Sequence, residues 1–152
     1  MKINLGCGTN IRPGFVNIDI CKHDGVDIVH NLDVFPWPIK DNSADFVMAF
    51  DVLEHVRESE KFLEELHRIL KTGGIAEIRV PHFRSDAAYA IFGHRNFYHE
   101  NAIDWITGKK SSDLQNEKIH FKLLKKKVLR GRIRFWNKKV IIWIIQKWTR
   151  YA

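Results

Sequence analysis

The feature of this sequence that most restricts its fold is a regular succession of short apolar segments in its first 80 residues. Each segment is rich in β-branched or aromatic residues and is bounded by Gly, Pro, Asn or Asp. They are Lys2–Gly6, Phe15–Asp19, Val26–His30, Asp45–Phe50 and Ile75–Val80. Short strands that alternate with turns and amphipathic stretches are typical of a parallel sheet. The sequence therefore predicts an α/β fold with a doubly wound, mostly parallel sheet.

Only one connection between these strands predicts a long helix. Apolar residues of Glu60–Leu70 fall on one face, Ser59 can cap its start, and Gly73–Gly74 can end it. The first connection, Gly8–Gly14, is too short and too rich in Gly and Pro for a helix. The first crossover is therefore expected to be shortened to a turn.

The second half of the chain is less regular. The His- and aromatic-rich stretch His82–Trp105 predicts a loop, with a helix near Glu100–Ile106. Lys118–Leu129 alternates apolar and basic residues, as an exposed antiparallel strand does. Asn137–Arg150 is interpreted as a final helix. We expect residues 1–136 to form one domain and residues 137–152 to be a basic, apolar helix that belongs to it or lies at an interface.

The length of 152 residues fits a single domain. The apolar run Val140–Ile145 is too short to span a bilayer, and Met1 leads directly into a strand-like segment, so a cytoplasmic location is expected. Cys7 and Cys21 lack metal-ligand spacing and are expected to be free thiols.

Charge is divided unequally along the chain. Residues 109–152 contain 14 Lys and Arg but only two acidic residues, whereas residues 1–108 contain 11 basic and 16 acidic residues. This asymmetry favours contact between the basic 118–150 region and an anionic partner such as nucleic acid, a membrane surface or an acidic substrate. A solvated basic face is the alternative.

A glycine-containing turn is predicted directly after the first strand. Gly6 and Gly8 lack a Cβ, so a ligand can approach the backbone at the carboxyl end of that strand. Asp19 ends the second strand, where a carboxylate can accept hydrogen bonds from both hydroxyls of a ribose. The turn lacks the third glycine of a dinucleotide-binding loop, which favours a nucleoside-like cofactor without phosphates.

Five segments together resemble the class I S-adenosylmethionine-dependent methyltransferases, in particular a compact group similar to methyltransferase type 11. They cover about half of the chain in order: NLGCGT (4–9), PGFVNID (13–19), HNLDVFPWPIKDNSADFV (30–47), DVLEHV (51–56) and LHRILKTGGIAEIRVPH (66–82). The resemblance implies a Rossmann-like fold and S-adenosylmethionine as the cofactor.

The resemblance also implies a set of cofactor-binding residues. Gly6, Cys7 and Gly8 would line the methionine part, and Asp19 would hold the ribose hydroxyls. The remaining positions would lie near the adenine or face the cofactor and the substrate entrance: Ile20, Asn31, Leu32, Asp33, Phe50 and Asp51.

The chain departs from the family pattern in three places. Asn4 replaces an acid and Asn10 replaces a glycine, and both positions bear on the contact to the methionine ammonium group. Methyltransferases that resemble this chain also end in an antiparallel hairpin. Only Arg132–Trp136 is left to form its second arm before the predicted helix, so the hairpin is expected to be incomplete. The apolar faces of that helix suggest a homodimer interface or the start of a longer C-terminal region.

Methyl transfer from a sulfonium needs few acid or base groups. If the acceptor is a hydroxyl or an amine, a base must take its proton, and the candidates are His82, His94 and His99. Their spacing matches no compact metal-ligand motif, so no metal site is predicted. Glu54 and His55 are interpreted as the start of a helix, with a capping or packing role as plausible as a chemical one.

The favoured function is methyl transfer to a small-molecule or sugar-type acceptor. An alternative is a methyltransferase for RNA or another polyanion, bound through the basic region. A third is a non-catalytic, methyltransferase-like subunit that binds a partner. It is suggested by Asn4, Asn10 and Asn31, the last of which stands where the family often has Asp.

Overall fold

The computed structural model describes residues 1–107, 119–133 and 136–148. Seven strands form one sheet: β1 (Lys2–Leu5), β2 (Val16–Asp19), β3 (Ile28–Val29), β4 (Ala44–Phe50), β5 (Leu70–Pro81), β6 (Phe121–Ile133) and β7 (Trp136–Lys147). Their order across the sheet is β3-β2-β1-β4-β5-β7-β6. The first five pair in parallel, and β7 and β6 continue the sheet in antiparallel pairing. The predicted α/β class with a mostly parallel sheet is confirmed.

Helix α1 spans Ser59–Ile69 and joins β4 to β5. It buries Phe62, Leu63, Leu66 and Ile69 on one face, as the sequence pattern predicts. The predicted cap is wrong, however. Glu58 occupies the N-cap position without a side-chain hydrogen bond, and the Ser59 hydroxyl instead lies 2.7 Å from the hydroxyl of Tyr98.

Two further helical segments follow β5 and are short. Helix α2 spans only Asp86–Tyr89, and a single 3-10 turn at Ala102–Trp105 replaces the helix expected near residue 100. Between β1 and β2 there is a turn and no helix, so the shortened first crossover is confirmed. In the described part of the chain, no helix is long and apolar enough to span a membrane.

The predicted C-terminal helix is wrong, because residues 137–147 belong to strand β7, which lies between β5 and β6. Residues 149–152 lie outside the described residues. Ile141, Trp143 and Ile145 are fully buried and alternate with half-buried apolar residues. A strand that is covered on both faces carries apolar residues at consecutive positions. The same run, interpreted as a helix, has apolar residues on all of its sides. The β-branched content of the run favours the strand.

The hairpin of β6 and β7 is also longer than expected. It pairs from Phe121 opposite Lys147 to Ile133 opposite Trp136. The sequence predicts Ile119–Leu129 as the first arm, and residues 121–129 of that segment lie in β6. The homodimer interface stays a prediction. It was inferred from a C-terminal helix, and the structure has strand β7 in its place.

Candidate active site

The turn after β1 has the backbone that its glycines suggest. Gly6 and Gly8 have φ angles of 59° and 49°, a region that favours glycine. A Cβ on Gly6 would collide with the Cγ2 atom of Val52, so the turn packs directly against the segment that follows β4. No neighbouring atom approaches the position of a Cβ on Gly8 within 4 Å, so Gly8 borders open space.

Asp19 is fixed at the end of β2 by two backbone amides. Its Oδ2 accepts a hydrogen bond from the Gly8 N–H at 2.7 Å, and its Oδ1 accepts one from the Cys21 N–H at 3.0 Å. Each carboxylate oxygen keeps a free lone pair, since it can accept two hydrogen bonds. The carboxylate is therefore oriented before any ligand arrives and can still accept from a diol.

A pocket of about 390 Å³ lies at the carboxyl ends of β1, β2 and β4. Seven of the ten cofactor-binding residues expected from the sequence line it: Gly6, Asp19, Ile20, Asn31, Leu32, Asp33 and Asp51. Four lining residues were not expected: His30, Val52, His55 and Val56. Gly8 touches this region through its bond to Asp19, whereas Cys7 is buried and Phe50 packs under the Arg79 guanidinium.

The pocket wall after β3 is tied to the segment after β4. Asn31 Oδ1 accepts from the Asp33 N–H at 3.0 Å, and Asp33 Oδ1 accepts from the Arg57 N–H at 2.8 Å. Ile20 is 62% exposed and forms an apolar edge of the pocket. An apolar edge beside a few polar groups is suited to a flat heterocycle such as adenine.

Asn4, which replaces the acid of the family pattern, has a structural function in this chain. Its side chain is buried, and its Nδ2 donates to the Asn10 carbonyl at 3.0 Å and to Asn17 Oδ1 at 3.0 Å. Both partners are acceptors, so the position requires a donor. The Asn4 side chain thus supports the turn through the backbone of residue 10 and the side chain of Asn17.

Asp51 is held in an uncommon conformation at the end of β4. Its φ is 57°, its N–H donates to the Arg79 carbonyl at 2.9 Å, and its carboxylate forms an ion pair with the Arg79 guanidinium. A non-glycine residue at positive φ needs such support and is most frequent at functional sites. Asp51 stands on the border between the first pocket and a second one.

The second pocket, of about 210 Å³, lies between the segment after β4 and the start of β7. It is lined by Asp51, Glu54, His55, Pro81, Ser85, Ala87, Ile91, His94, Lys139 and Val140. Asp51 and His55 line both pockets, which are therefore neighbours. These two side chains form the boundary between the pockets.

Glu54 is the most unusual residue of the second pocket. Its side chain is 1% exposed, and neither carboxylate oxygen has a hydrogen-bond partner among the described residues. Burial raises its pKa to about 7. Glu54 and His55 lie in a turn before α1 and not in the helix expected there. The sequence signal that was available is a carboxylate inside the apolar run Val52–Val56.

The three histidines considered as bases do not form a cluster. His94 lines the second pocket. His82 is buried and fully hydrogen-bonded: its Nδ1 accepts from the Arg84 N–H at 3.0 Å, and its Nε2 lies 2.5 Å from Glu100 Oε2. His99 is half-exposed and contacts Glu100 at 3.5 Å. The geometry thus brings only His94 to the pocket.

Residues 7–78 match the family model described as a methyltransferase domain. This match covers just under half of the chain and agrees with the resemblance found in its sequence. The family expected from the sequence is confirmed, and with it S-adenosylmethionine as the cofactor of the family. A Mycolicibacterium smegmatis protein named as an S-adenosylmethionine-dependent methyltransferase is 38% identical over 61 residues, which are 40% of this chain. The match covers 23% of that relative, so the chain spans about a quarter of its length.

Solved structures agree on the fold. An N1-methyltransferase of Burkholderia thailandensis, with 1,6-didemethyltoxoflavin and S-adenosylhomocysteine bound, has a TM-score of 0.67 at 13% identity, covering 97% of this chain and 71% of its own. A methyltransferase of Thermotoga maritima has a TM-score of 0.66 at 18% identity, and the match covers 96% of this chain and 81% of that protein. A [4+2]-cyclase, SpnF, has a TM-score of 0.68 at 15% identity, and the match covers 97% of this chain and 75% of that protein. The fold therefore also occurs in a protein that is named for another reaction.

Proposed function

We propose that this chain transfers the methyl group of S-adenosylmethionine to a small-molecule or sugar-type acceptor. The observation that carries the proposal is the pair of adjoining pockets that share Asp51 and His55. The first has the glycine turn and the oriented Asp19, which suit a nucleoside. The second is enclosed mainly by segments that follow β4 and β5 and has room for a small acceptor.

In the first pocket, Asp19, whose oxygens are already oriented by Gly8 and Cys21, would accept hydrogen bonds from the ribose hydroxyls. Ile20, Leu32 and Asn31 would hold the adenine. Gly8, which borders open space, would hold the methionine end. This assignment follows the family pattern residue by residue and is supported by the shared pocket.

When bound, S-adenosylmethionine supplies a methyl group on a sulfonium, which leaves the sulfur as the acceptor atom attacks from the opposite side. The contribution of the protein is to hold the acceptor on that line and to exclude water. Asp51 and His55 border both pockets and are the residues placed to orient the two reactants. Of the three candidate bases, His94 is the one in contact with the acceptor space.

The test is calorimetric titration of S-adenosylhomocysteine into the wild-type chain and into Asp19→Ala. Loss of a charge-assisted contact of about 1.5–3 kcal/mol predicts a Kd roughly 10- to 150-fold higher. Asp24→Ala removes an exposed carboxylate from the same loop and is the control, with unchanged affinity expected. Equal affinity of all three proteins would remove Asp19 from the site, and no binding to any of them would contradict the proposed function.

A second candidate, methyl transfer to an anionic polymer, is favoured by the position of strand β6. This edge strand exposes Lys122, Lys125, Lys127 and Arg130. Arg130 pairs with Lys139, whose side chain lines the second pocket, so the basic strand ends beside the acceptor space. Lysines on an edge strand also prevent edge-to-edge association, which is the competing explanation.

A further inference from the structure

We propose that Glu54, His55 and His94 bind one divalent transition-metal ion in the wall of the second pocket. One candidate ligand atom from each residue lies within 4.8 Å of the other two. His55 follows Glu54 in the turn after β4, whereas His94 comes from the segment after α2. The three side chains are thus brought together by the fold and not by a compact sequence motif.

The first argument is the state of Glu54. A carboxyl group that is 1% exposed and has no hydrogen-bond partner among the described residues is costly to bury. Asp51, the nearest carboxylate of the pocket, is already paired with Arg79. A cation between Glu54 and the two imidazoles would compensate the buried carboxylate.

The second argument is the way in which both imidazoles are held. The Nδ1 of His55 lies 3.1 Å from the Gly93 carbonyl oxygen, and the Nδ1 of His94 lies 3.0 Å from the Ala88 carbonyl oxygen. A carbonyl can only accept, so each Nδ1 donates, and in the neutral ring the Nε2 keeps its lone pair for a metal. Metal-binding histidines usually have this second hydrogen bond, which fixes the tautomer and the ring.

The donor set also indicates the class of ion. Two imidazoles and one carboxylate suit Zn²⁺, Fe²⁺, Mn²⁺ or Co²⁺ better than the hard ions Mg²⁺ and Ca²⁺, which prefer oxygen ligands. Ligand atoms around a tetrahedral ion are roughly 3.4 Å apart. Metal binding therefore requires the three ligand atoms to draw closer than the 4.8 Å within which they lie. Three protein ligands leave a coordination position free on the side of the pocket.

The consequence for the substrate rests on the proposed function. An acceptor that carries a hydroxyl group can occupy the free position, and coordination lowers the pKa of that hydroxyl. The hydroxyl proton leaves to solvent, the oxygen forms a bond to the methyl carbon, and the carbon–sulfur bond breaks with its electron pair remaining on sulfur. This assigns His94 to the metal in place of its expected function as a base, and it points to alcohols, phenols and sugars as acceptors.

The test uses the full chain, without a histidine tag and stripped with a chelator. Zn²⁺ and Co²⁺ are titrated by calorimetry, and Co²⁺ also by visible absorption. We expect one equivalent of tightly bound metal in the wild type and affinity at least about 10- to 100-fold weaker in Glu54→Gln and His94→Asn. His23→Ala is the control, since Asp19, Cys21 and His23 form the other group with metal-binding geometry among the described residues.

Absence of stoichiometric binding overturns the proposal, and so does full affinity in Glu54→Gln or loss of binding in His23→Ala. Circular dichroism of each variant checks that it is folded. S-adenosylhomocysteine binding is measured on the same proteins and is expected to be unchanged in Glu54→Gln and His94→Asn, because neither residue lines the first pocket. Failure of the metal site and failure of the proposed function thus give different results.

Discussion

Replacing Asn4 by Asp distinguishes a structural amide from a missing functional acid. The two side chains have nearly the same shape, so packing is preserved. In the wild type, the Asn4 Nδ2 donates to the Asn10 carbonyl and to Asn17 Oδ1, each at 3.0 Å. In Asn4→Asp an oxygen would face these two acceptors. The position is almost fully buried, since Asn4 is 3% exposed.

The expected cost can be worked out from these contacts. Two hydrogen bonds of about 1 kcal/mol each are lost, and the new carboxylate oxygen, buried without a donor at this position, adds about 1–3 kcal/mol, which gives about 3–5 kcal/mol at neutral pH. Burial raises the pKa of the new carboxyl above its unfolded value of about 3.9. The protonated carboxyl can donate one hydrogen bond, so the loss of stability is smallest below about pH 4 and grows as the pH rises through the raised pKa.

The assay is urea unfolding followed by tryptophan fluorescence at pH 7 and pH 5. The matched control is Asn31→Asp, because Asn31 is exposed and uses only its side-chain oxygen, which Asp retains. Equal stability of Asn4→Asp, Asn31→Asp and wild type at pH 7 would refute the reasoning. If position 4 merely lacks the acid that contacts the methionine ammonium group, Asn4→Asp should instead bind S-adenosylhomocysteine more tightly without loss of stability.

Two further predictions concern other parts of the chain. Burial, and secondarily the charge of Lys147, lower the pKa of His67 to about 4, below its unfolded value of about 6.5. Its contribution to stability is thus complete above pH 6.5 and is lost as the pH falls toward 4. Because His67 is only half-buried, we expect roughly 1–2 kcal/mol less stability at pH 4.5 than at pH 7.5 by urea unfolding, reduced in His67→Gln. On strand β6, the double variant Lys125→Glu, Lys127→Glu should elute from heparin at a lower salt concentration than the wild type, with unchanged affinity for S-adenosylhomocysteine. Elution of both proteins at the same salt concentration would favour the solvated-face interpretation.

The parts of the site that could be predicted from the sequence are those in which neighbours along the chain determine the structure. Gly6 and Gly8 need their backbone conformation locally, and Asp19 follows from its place at a strand end. Glu54 has only a weak local signal, its place inside the apolar run Val52–Val56, because its burial also depends on segments about 30 to 85 residues away that line the second pocket. The same holds for His94, which reaches Glu54 only through the path of the chain after β5.

Strand β7 was misinterpreted for a related physical reason, and the correction bears on the acceptor site. An apolar run such as Val140–Ile145 is compatible with both a buried strand and a buried helix. Only its pairing with the neighbouring strands of the sheet decides between the two. With β7 inserted next to β5, Val140 lies opposite Pro81 in the sheet, and Lys139 and Val140 enter the wall of the second pocket. The Lys139 Nζ also lies 2.9 Å from His82 Nε2, so the hairpin is joined to the loop that follows β5. Strand β7 is far along the chain from the glycine turn and nevertheless helps to shape the space for the acceptor. Substitutions in β7 should therefore change acceptor preference more than cofactor binding.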